Sequence, residues 1–201
     1  MINLPILYFG YIIILFSIIG FGYISSKILS TRLSIGELGL NGILFMTIFS
    51  YLTNLIIPHN YIHNSIFLII GLFSFFSLLK KKLLRKKIKL ILIISSVLFI
   101  GILMYKTHDD FLYYHFPYTI SLIEFKKIFG VGNLEHGFRT PSSIFYFNSL
   151  FYLPIIEKSL INSGAIFFLI FSNIFLIQKI FNQIKNKKHN FILVLSLLSL
   201  I

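Results

Sequence analysis

Residues 88–117 read IKLILIISSVLFIGILMYKTHDDFLYYHFP, an apolar run followed at once by an acidic and aromatic stretch. Crossing the hydrocarbon layer of a membrane takes about 20 residues at roughly 1.5 Å of rise each. Residues 88–105 meet that length approximately, and Asp109 follows their last residue by four positions. The stretch therefore predicts a membrane-spanning helix that ends beside a polar site.

Apolar runs of similar length lie on both sides of this stretch. The chain is 57% hydrophobic and 12% charged, with a mean hydropathy of +0.89, which lies outside the range of soluble globular domains. We predict an all-α fold, a polytopic transmembrane helical bundle that forms one integral-membrane domain over residues 1–201. The predicted spans are 4–24, 39–57, 62–79, 88–105, 161–181 and an incomplete span at 191–201.

The basic residues predict how the spans are oriented. Lys and Arg concentrate in cytoplasmic loops, and 13 of the 18 basic residues fall in alternate loops of one phase. We therefore expect the N-terminus and residues 106–160 to be extracytoplasmic, with amphipathic helices in that long loop, in the bacterial inner membrane. A net charge of +12 would suggest nucleic acid in a soluble protein, but topology explains these basic loops. We expect membrane lipid as a partner and no nucleic acid.

Residues 142–156 are apolar enough to suggest a seventh span. The run has 15 residues and contains Pro154, which disturbs a helix near its end. It is better interpreted as an interfacial or half-inserted helix, with Tyr146 and Tyr152 at the depth of the lipid headgroups.

Five of the six acidic residues lie between residues 106 and 158, which makes this stretch the candidate site. Asp109 and Asp110 are the candidate catalytic residues. Adjacent side chains point in different directions, so one could face a substrate while Asp110 caps the following helix. An Asp at a partly desolvated membrane surface could accept a proton from a sugar hydroxyl. The alternative is that both carboxylates only solvate the loop or cap a helix.

Further polar residues of the same stretch are candidate substrate-binding residues: His115, Glu135, His136 and Arg139. The guanidinium of Arg139 matches two phosphate oxygens at once. A hydrogen-bonding role without catalysis is the alternative for both histidines. These side chains also leave room for a divalent cation, although no ligand spacing singles out a metal site. No charged residue lies deep in a predicted span, which argues against an ion-coupled transporter.

The stretch Asp109-Asp110-Phe-Leu-Tyr-Tyr-His-Phe-Pro117, followed by an amphipathic segment, Arg139-Thr-Pro-Ser-Ser143 and another apolar helix, resembles the GT-C superfamily of integral-membrane glycosyltransferases. It is most similar to bacterial mannosyl/arabinosyltransferase-like members and related membrane proteins, over about residues 90–180. The resemblance implies transfer of a sugar from a polyprenyl-phosphate donor to an extracytoplasmic acceptor. An Asp of the first long external loop would serve as general base or metal ligand.

The resemblance favours an enzyme, and the apolar run that continues at Ile201 leads us to expect the N-terminal part of one. The alternative is a non-catalytic polytopic membrane protein, such as a lipid-linked glycan flippase or a subunit of an envelope complex.

Overall fold

The computed structural model of the chain describes residues 3–80, 82–104, 109–133, 136–139 and 141–185. Within these ranges it contains helices and no strand, which confirms the all-α prediction for this part of the chain. The helices are α1 Leu4–Ile28, α2 Ile35–Asn54, α3 Tyr61–Leu79, α4 Lys82–Leu103, α5 Phe116–Glu124, α6 Ser143–Ser149 and α7 Gly164–Lys185. A π-helical turn, Phe111–His115, leads into α5, and short 3-10 turns occupy Val131–Asn133 and His136–Phe138.

Four of these helices are long and apolar enough to cross a membrane: α1, α2, α3 and α7. They correspond to the predicted spans 4–24, 39–57, 62–79 and 161–181, so the chain is compatible with an integral membrane protein. The predicted span 88–105 falls mainly within α4, which begins in the basic run at Lys82 and is not one of the four. The predicted span 191–201 lies outside the described residues.

Helix α1 forms the centre of the bundle and packs closely against α2 and α3. A side chain at Gly22 would collide with the backbone carbonyl of Leu38 in α2, and one at Gly20 would collide with that of Gly71 in α3. The Ser17 hydroxyl donates to the Leu68 carbonyl at 3.0 Å. Small residues and buried hydroxyls of this kind let helix backbones approach closely in membrane proteins.

The bundle has two ends with different charge. At one end, the Tyr11 hydroxyl near the start of α1 donates to the Ser95 carbonyl of α4 at 2.9 Å. We call this the acidic end, because it carries residues 109–163 with their acids Asp109, Asp110, Glu124 and Glu157. At the opposite, basic end, the Gly36 amide of α2 donates to Gln178 Oε1 of α7 at 3.3 Å. The basic end carries Lys27, Arg32, Lys80 and Lys179 with Glu37 as its acid, whereas the acidic end also carries Lys126, Lys127, Arg139 and Lys158 beside its four acids. The excess of basic residues in the described part of the chain therefore lies at the basic end, as the loop charges predict.

The segment 142–156 forms no seventh span, because α6 is only seven residues long. The expectation that Tyr146 faces lipid headgroups is wrong. Its side chain is 1% exposed, and its ring stacks on Tyr51 of α2 with centroids 3.7 Å apart. The apolar residues of α6 are therefore covered by protein.

Candidate functional site

A buried asparagine attaches the segment 141–163 of the acidic end to the corner between α2 and α3. Asn64 is completely buried. Its amide nitrogen donates to the carbonyls of His59, Ser149 and Tyr152, at 2.8, 2.8 and 2.9 Å. One side chain thus joins the α2–α3 loop to the segment that follows α6.

His59 reinforces this attachment. Its Nδ1 lies 2.7 Å from Ser149 Oγ, and that hydroxyl donates its proton to the Tyr146 carbonyl at 2.8 Å. The hydroxyl proton is already committed, so Nδ1–H of His59 must be the donor to Ser149. Burial, and secondarily the neighbouring His63, lower the pKa of His59 to about 3. The ring is therefore neutral near pH 7 and acts as a structural contact.

Helix α5 is held at the same corner. The His59 amide donates to the Leu122 carbonyl at 2.9 Å, and Asn54 Nδ2 donates to that carbonyl at 3.0 Å and to Phe125 O at 3.3 Å. In return, the Lys127 amide donates to the Asn54 carbonyl at 2.8 Å. The position of α5 relative to α2 is fixed by these contacts.

A cleft opens between the π-helical turn, α5, α6 and the start of α7. It comprises two adjoining cavities of about 320 and 430 Å³ that share Phe111, Phe116, Ile161 and Asn162. The smaller cavity, the polar lobe, adds the polar side chains of Tyr114, His115, Thr119, Ser142 and Asn148. The larger cavity, the apolar lobe, adds Gly101, Ile102, Met104, Leu112 and Ile166, together with Lys158, Ser159 and Ser163. Mostly apolar clefts with a few polar groups are typical of ligand sites.

Two side chains of the polar lobe are held in place by their neighbours. Asn148 Oδ1 accepts a hydrogen bond from the backbone amide of Gly164 at 3.0 Å, so the side-chain oxygen of Asn148 faces the start of α7. The ring of His115 packs edge-on against Tyr114 at 4.3 Å and against Phe145 at 5.0 Å. The side chains of Asn148 and His115 are therefore held in fixed positions in the cleft by the helices and rings packed around them, which favours a defined binding site.

The acidic pair lies beside this cleft. Asp109 is exposed and Asp110 is half-buried, directly before Phe111, which lines both lobes. Neither Asp is among the residues that line the two lobes. Asp110 occupies the position before the π-helical turn, but its side chain makes no capping hydrogen bond there.

The remaining predicted site residues are spread over the loop 131–139. Glu135 lies outside the described residues, and His136 is exposed. Arg139 is exposed, and its Nε donates to the Gly132 carbonyl at 3.2 Å. The loop packs against α5, since the Phe138 ring meets Tyr118 at 5.2 Å. Of the substrate-binding candidates, the cleft lining includes His115 and not His136 or Arg139.

Sequence reasoning missed the polar residues that α6 and the following loop bring to the cleft, Asn148, Lys158 and Asn162. Two of them are asparagines in otherwise apolar surroundings, which is the signal that could have identified them. Among the residues that the structure describes, no three His, Asp or Glu side chains are grouped as metal ligands.

The comparisons with known proteins yield one family. The model of a domain of unknown function, DUF8201, matches residues 4–201. No curated protein and no solved structure matches the chain.

Proposed function

Since the chain belongs to the DUF8201 family, a domain of unknown function, we propose its function from the site. We infer that it is a membrane glycosyltransferase, or the N-terminal part of one. It would transfer a sugar from a polyprenyl-phosphate donor to an extracytoplasmic acceptor. The observation that carries the proposal is the cleft at the acidic end, in which a polar lobe adjoins an apolar lobe.

The shape of the cleft suits a substrate with a charged head and a long apolar tail. The apolar lobe begins at Gly101, Ile102 and Met104 of the α4 end, and Met104 is 72% exposed there. A lipid chain could enter the lobe from the bilayer at this point. Lys158 would offset the charge of a phosphate. Asn162 belongs to both lobes, where head and tail would meet.

The chemistry needs a base at the polar lobe. In an inverting transfer, the acceptor hydroxyl attacks the anomeric carbon, its proton passes to the base, and the bond to the phosphate oxygen breaks as polyprenyl phosphate leaves. Asp110, next to Phe111 of the lining, or Asp109 would take the proton or hold a divalent cation. His115 would bind the head group from within the polar lobe.

The excess of basic residues at the basic end supports the proposed orientation. Lys27, Arg32, Lys80 and Lys179 lie at the end opposite the cleft, and basic loops are enriched on the cytoplasmic side. The cleft would then face the extracytoplasmic side of a bacterial inner membrane, where lipid-linked sugars meet acceptors.

The proposal is tested by sugar transfer from a polyprenyl-phosphate donor with the full-length protein in membranes. We expect Asp109→Asn or Asp110→Asn to lower transfer at least 100-fold while insertion stays normal, because base catalysis contributes about 10²–10⁴-fold. His115→Ala should instead weaken binding of the donor and raise its KM. Glu124→Gln is the matched control, since this carboxylate is exposed at the same end and outside the cleft lining. Unchanged transfer in both Asp variants would refute the role of the pair.

A second candidate is a non-catalytic membrane protein, either a lipid-linked glycan flippase or a subunit of an envelope complex. The observation that favours it is that neither lobe has a carboxylate among its lining residues. It predicts that donor lipid still binds, or still crosses the bilayer of proteoliposomes, in both Asp→Asn variants. Both lobes are lined by residues 101–166 at the acidic end, whereas a flippase needs a path to the basic end, so we favour the transferase.

A further inference from the structure

Residues 125–129, Phe-Lys-Lys-Ile-Phe, expose their apolar side chains and direct one of their two lysines towards the protein interior. Their apolar side chains face outward, and Phe129 is 81% exposed, with Phe125 and Ile128 also exposed. The ammonium group of Lys127 points inward and donates to the hydroxyls of Tyr118 and Tyr146, at 2.8 and 2.6 Å. In water the opposite arrangement is favoured, since apolar groups avoid water and ammonium groups prefer it.

Lys127 is half-buried, and its ammonium group lies against buried tyrosines. Tyr118 and Tyr146 are buried, and their hydroxyl oxygens lie 3.2 Å apart. Burial raises the pKa of Tyr146 to about 12, so its phenol stays neutral and can accept from the ammonium. Removing a charged group from water costs free energy, and the two short hydrogen bonds from Lys127 offset part of that cost. An apolar environment outside the segment would explain why Lys127 and not the phenylalanines is inside.

The height of the segment along the bundle is fixed by hydrogen bonds. The Lys127 amide donates to the carbonyl of Asn54, the last residue of the candidate span α2. Asn54 Nδ2 donates back to the Phe125 carbonyl at 3.3 Å. The end of a span marks the boundary between acyl chains and headgroups. Leu55, Ile56 and Ile57, which follow α2, are exposed at the same level.

We infer that residues 125–129 are a membrane-docking segment seated in the interface of the bilayer that holds α2. Phe125, Ile128 and Phe129 lie among the upper acyl chains, and the exposed Lys126 reaches the lipid phosphates. The occupant is lipid rather than a protein partner, because the apolar surface continues from the end of a span and carries a cation suited to headgroups. This inference does not depend on the glycosyltransferase proposal.

The chain contains no tryptophan, so a single introduced Trp reports on its own surroundings. The protein is reconstituted in phosphatidylcholine vesicles that contain lipid dibrominated either near the headgroup or deep in the acyl chain. We expect Phe129→Trp to be quenched at least twofold more by the shallow bromines than by the deep ones, and to be shielded from aqueous acrylamide. The depth control is Phe73→Trp, an exposed site midway along α3, which should show the reverse order.

Asn133→Trp is the matched control outside the segment, an exposed polar position four residues from Phe129 that should be reached by acrylamide. Quenching of Phe129→Trp by acrylamide and not by bromolipid would overturn the inference in favour of a water-facing segment. Protection from both quenchers would also overturn it, in favour of coverage by protein. Ile128→Trp repeats the measurement if Phe129→Trp does not fold, as judged by thermal unfolding.

Discussion

The replacement Asn64→Leu tests whether the acidic-end segment is held to the bundle as the structure indicates. Leucine keeps the approximate volume but removes the amide, which donates to two buried carbonyls and one half-buried carbonyl and accepts from His63 Nδ1 at 2.9 Å. A buried polar group left without a partner costs about 1–3 kcal/mol. The Ser149 carbonyl keeps a second, long hydrogen bond from the Tyr152 amide at 3.4 Å, which reduces the loss there.

We therefore expect Asn64→Leu to lower the free energy of unfolding by about 3–5 kcal/mol. For a chain of this size, that corresponds to a fall in Tm of roughly 10 °C. The assay is thermal unfolding of the purified protein in detergent, followed by helix content. Limited proteolysis should show earlier cleavage between α5 and α7, because the amide joins that segment to α3.

Asn173→Leu is the matched control. Its amide donates only to the Leu169 carbonyl, one turn earlier in the same helix, at 2.9 Å on an exposed surface. This replacement should cost less than about 1 kcal/mol. Equal falls in Tm for the two variants would refute the reasoning that Asn64 joins two segments of the fold.

Three further predictions concern stability measured in the same assay. The folded-state pKa of His59 is about 3 against an ordinary 6.5, so the unfolded state binds more protons between these values. The free energy of unfolding should therefore fall as the pH drops below 6.5, by about 1.4 kcal/mol per pH unit; a profile unchanged by His59→Gln would contradict this. Gly22→Ala should destabilise by about 1–3 kcal/mol because its new methyl meets backbone, whereas Gly101→Ala, with 3.9 Å of clearance, should be neutral or stabilising. Lys127→Met should lower the free energy of unfolding by about 1–3 kcal/mol, whereas Lys126→Met, at an exposed position, should leave it almost unchanged. Equal effects of the two replacements would be evidence against an inward-facing Lys127.

The four helices that are long and apolar enough to cross a membrane were predictable, because length and hydropathy alone determine which segments can cross a bilayer. The residues at which helices begin were harder to predict. α2 begins at Ile35 and not at residue 39, because Ser34 and Glu37 form a capping box: the Ser34 amide donates to Glu37 Oε2 at 2.8 Å. This pattern of Ser followed three residues later by Glu is visible in the sequence. It explains the one acid that lies outside the candidate site.

The site was predictable only in its general location. The prediction identified the stretch around Asp109 and Asp110, and the cleft adjoins it. Which of its side chains enter the cleft depends on a π-helical turn and on packing against Phe145, and neither has a simple sequence signal. Asn148 and Asn162 were not among the predicted site residues, and only the folding of α6 and the start of α7 beside α5 brings them to the same cavity as His115.

The central position of α1 has a consequence for biosynthesis. Its Tyr11 is completely buried, yet the acceptor of its hydroxyl, the Ser95 carbonyl, is made 84 residues later, and the ring that stacks on it, Phe167, later still. If α1 enters the membrane as it is made, its Tyr11 hydroxyl would remain in lipid or be shielded by the insertion machinery while the ribosome completes the intervening helices. Helix α1, the first of the described helices to be synthesised, therefore completes its contacts only when α7 has been made, as α2 and α4 also do.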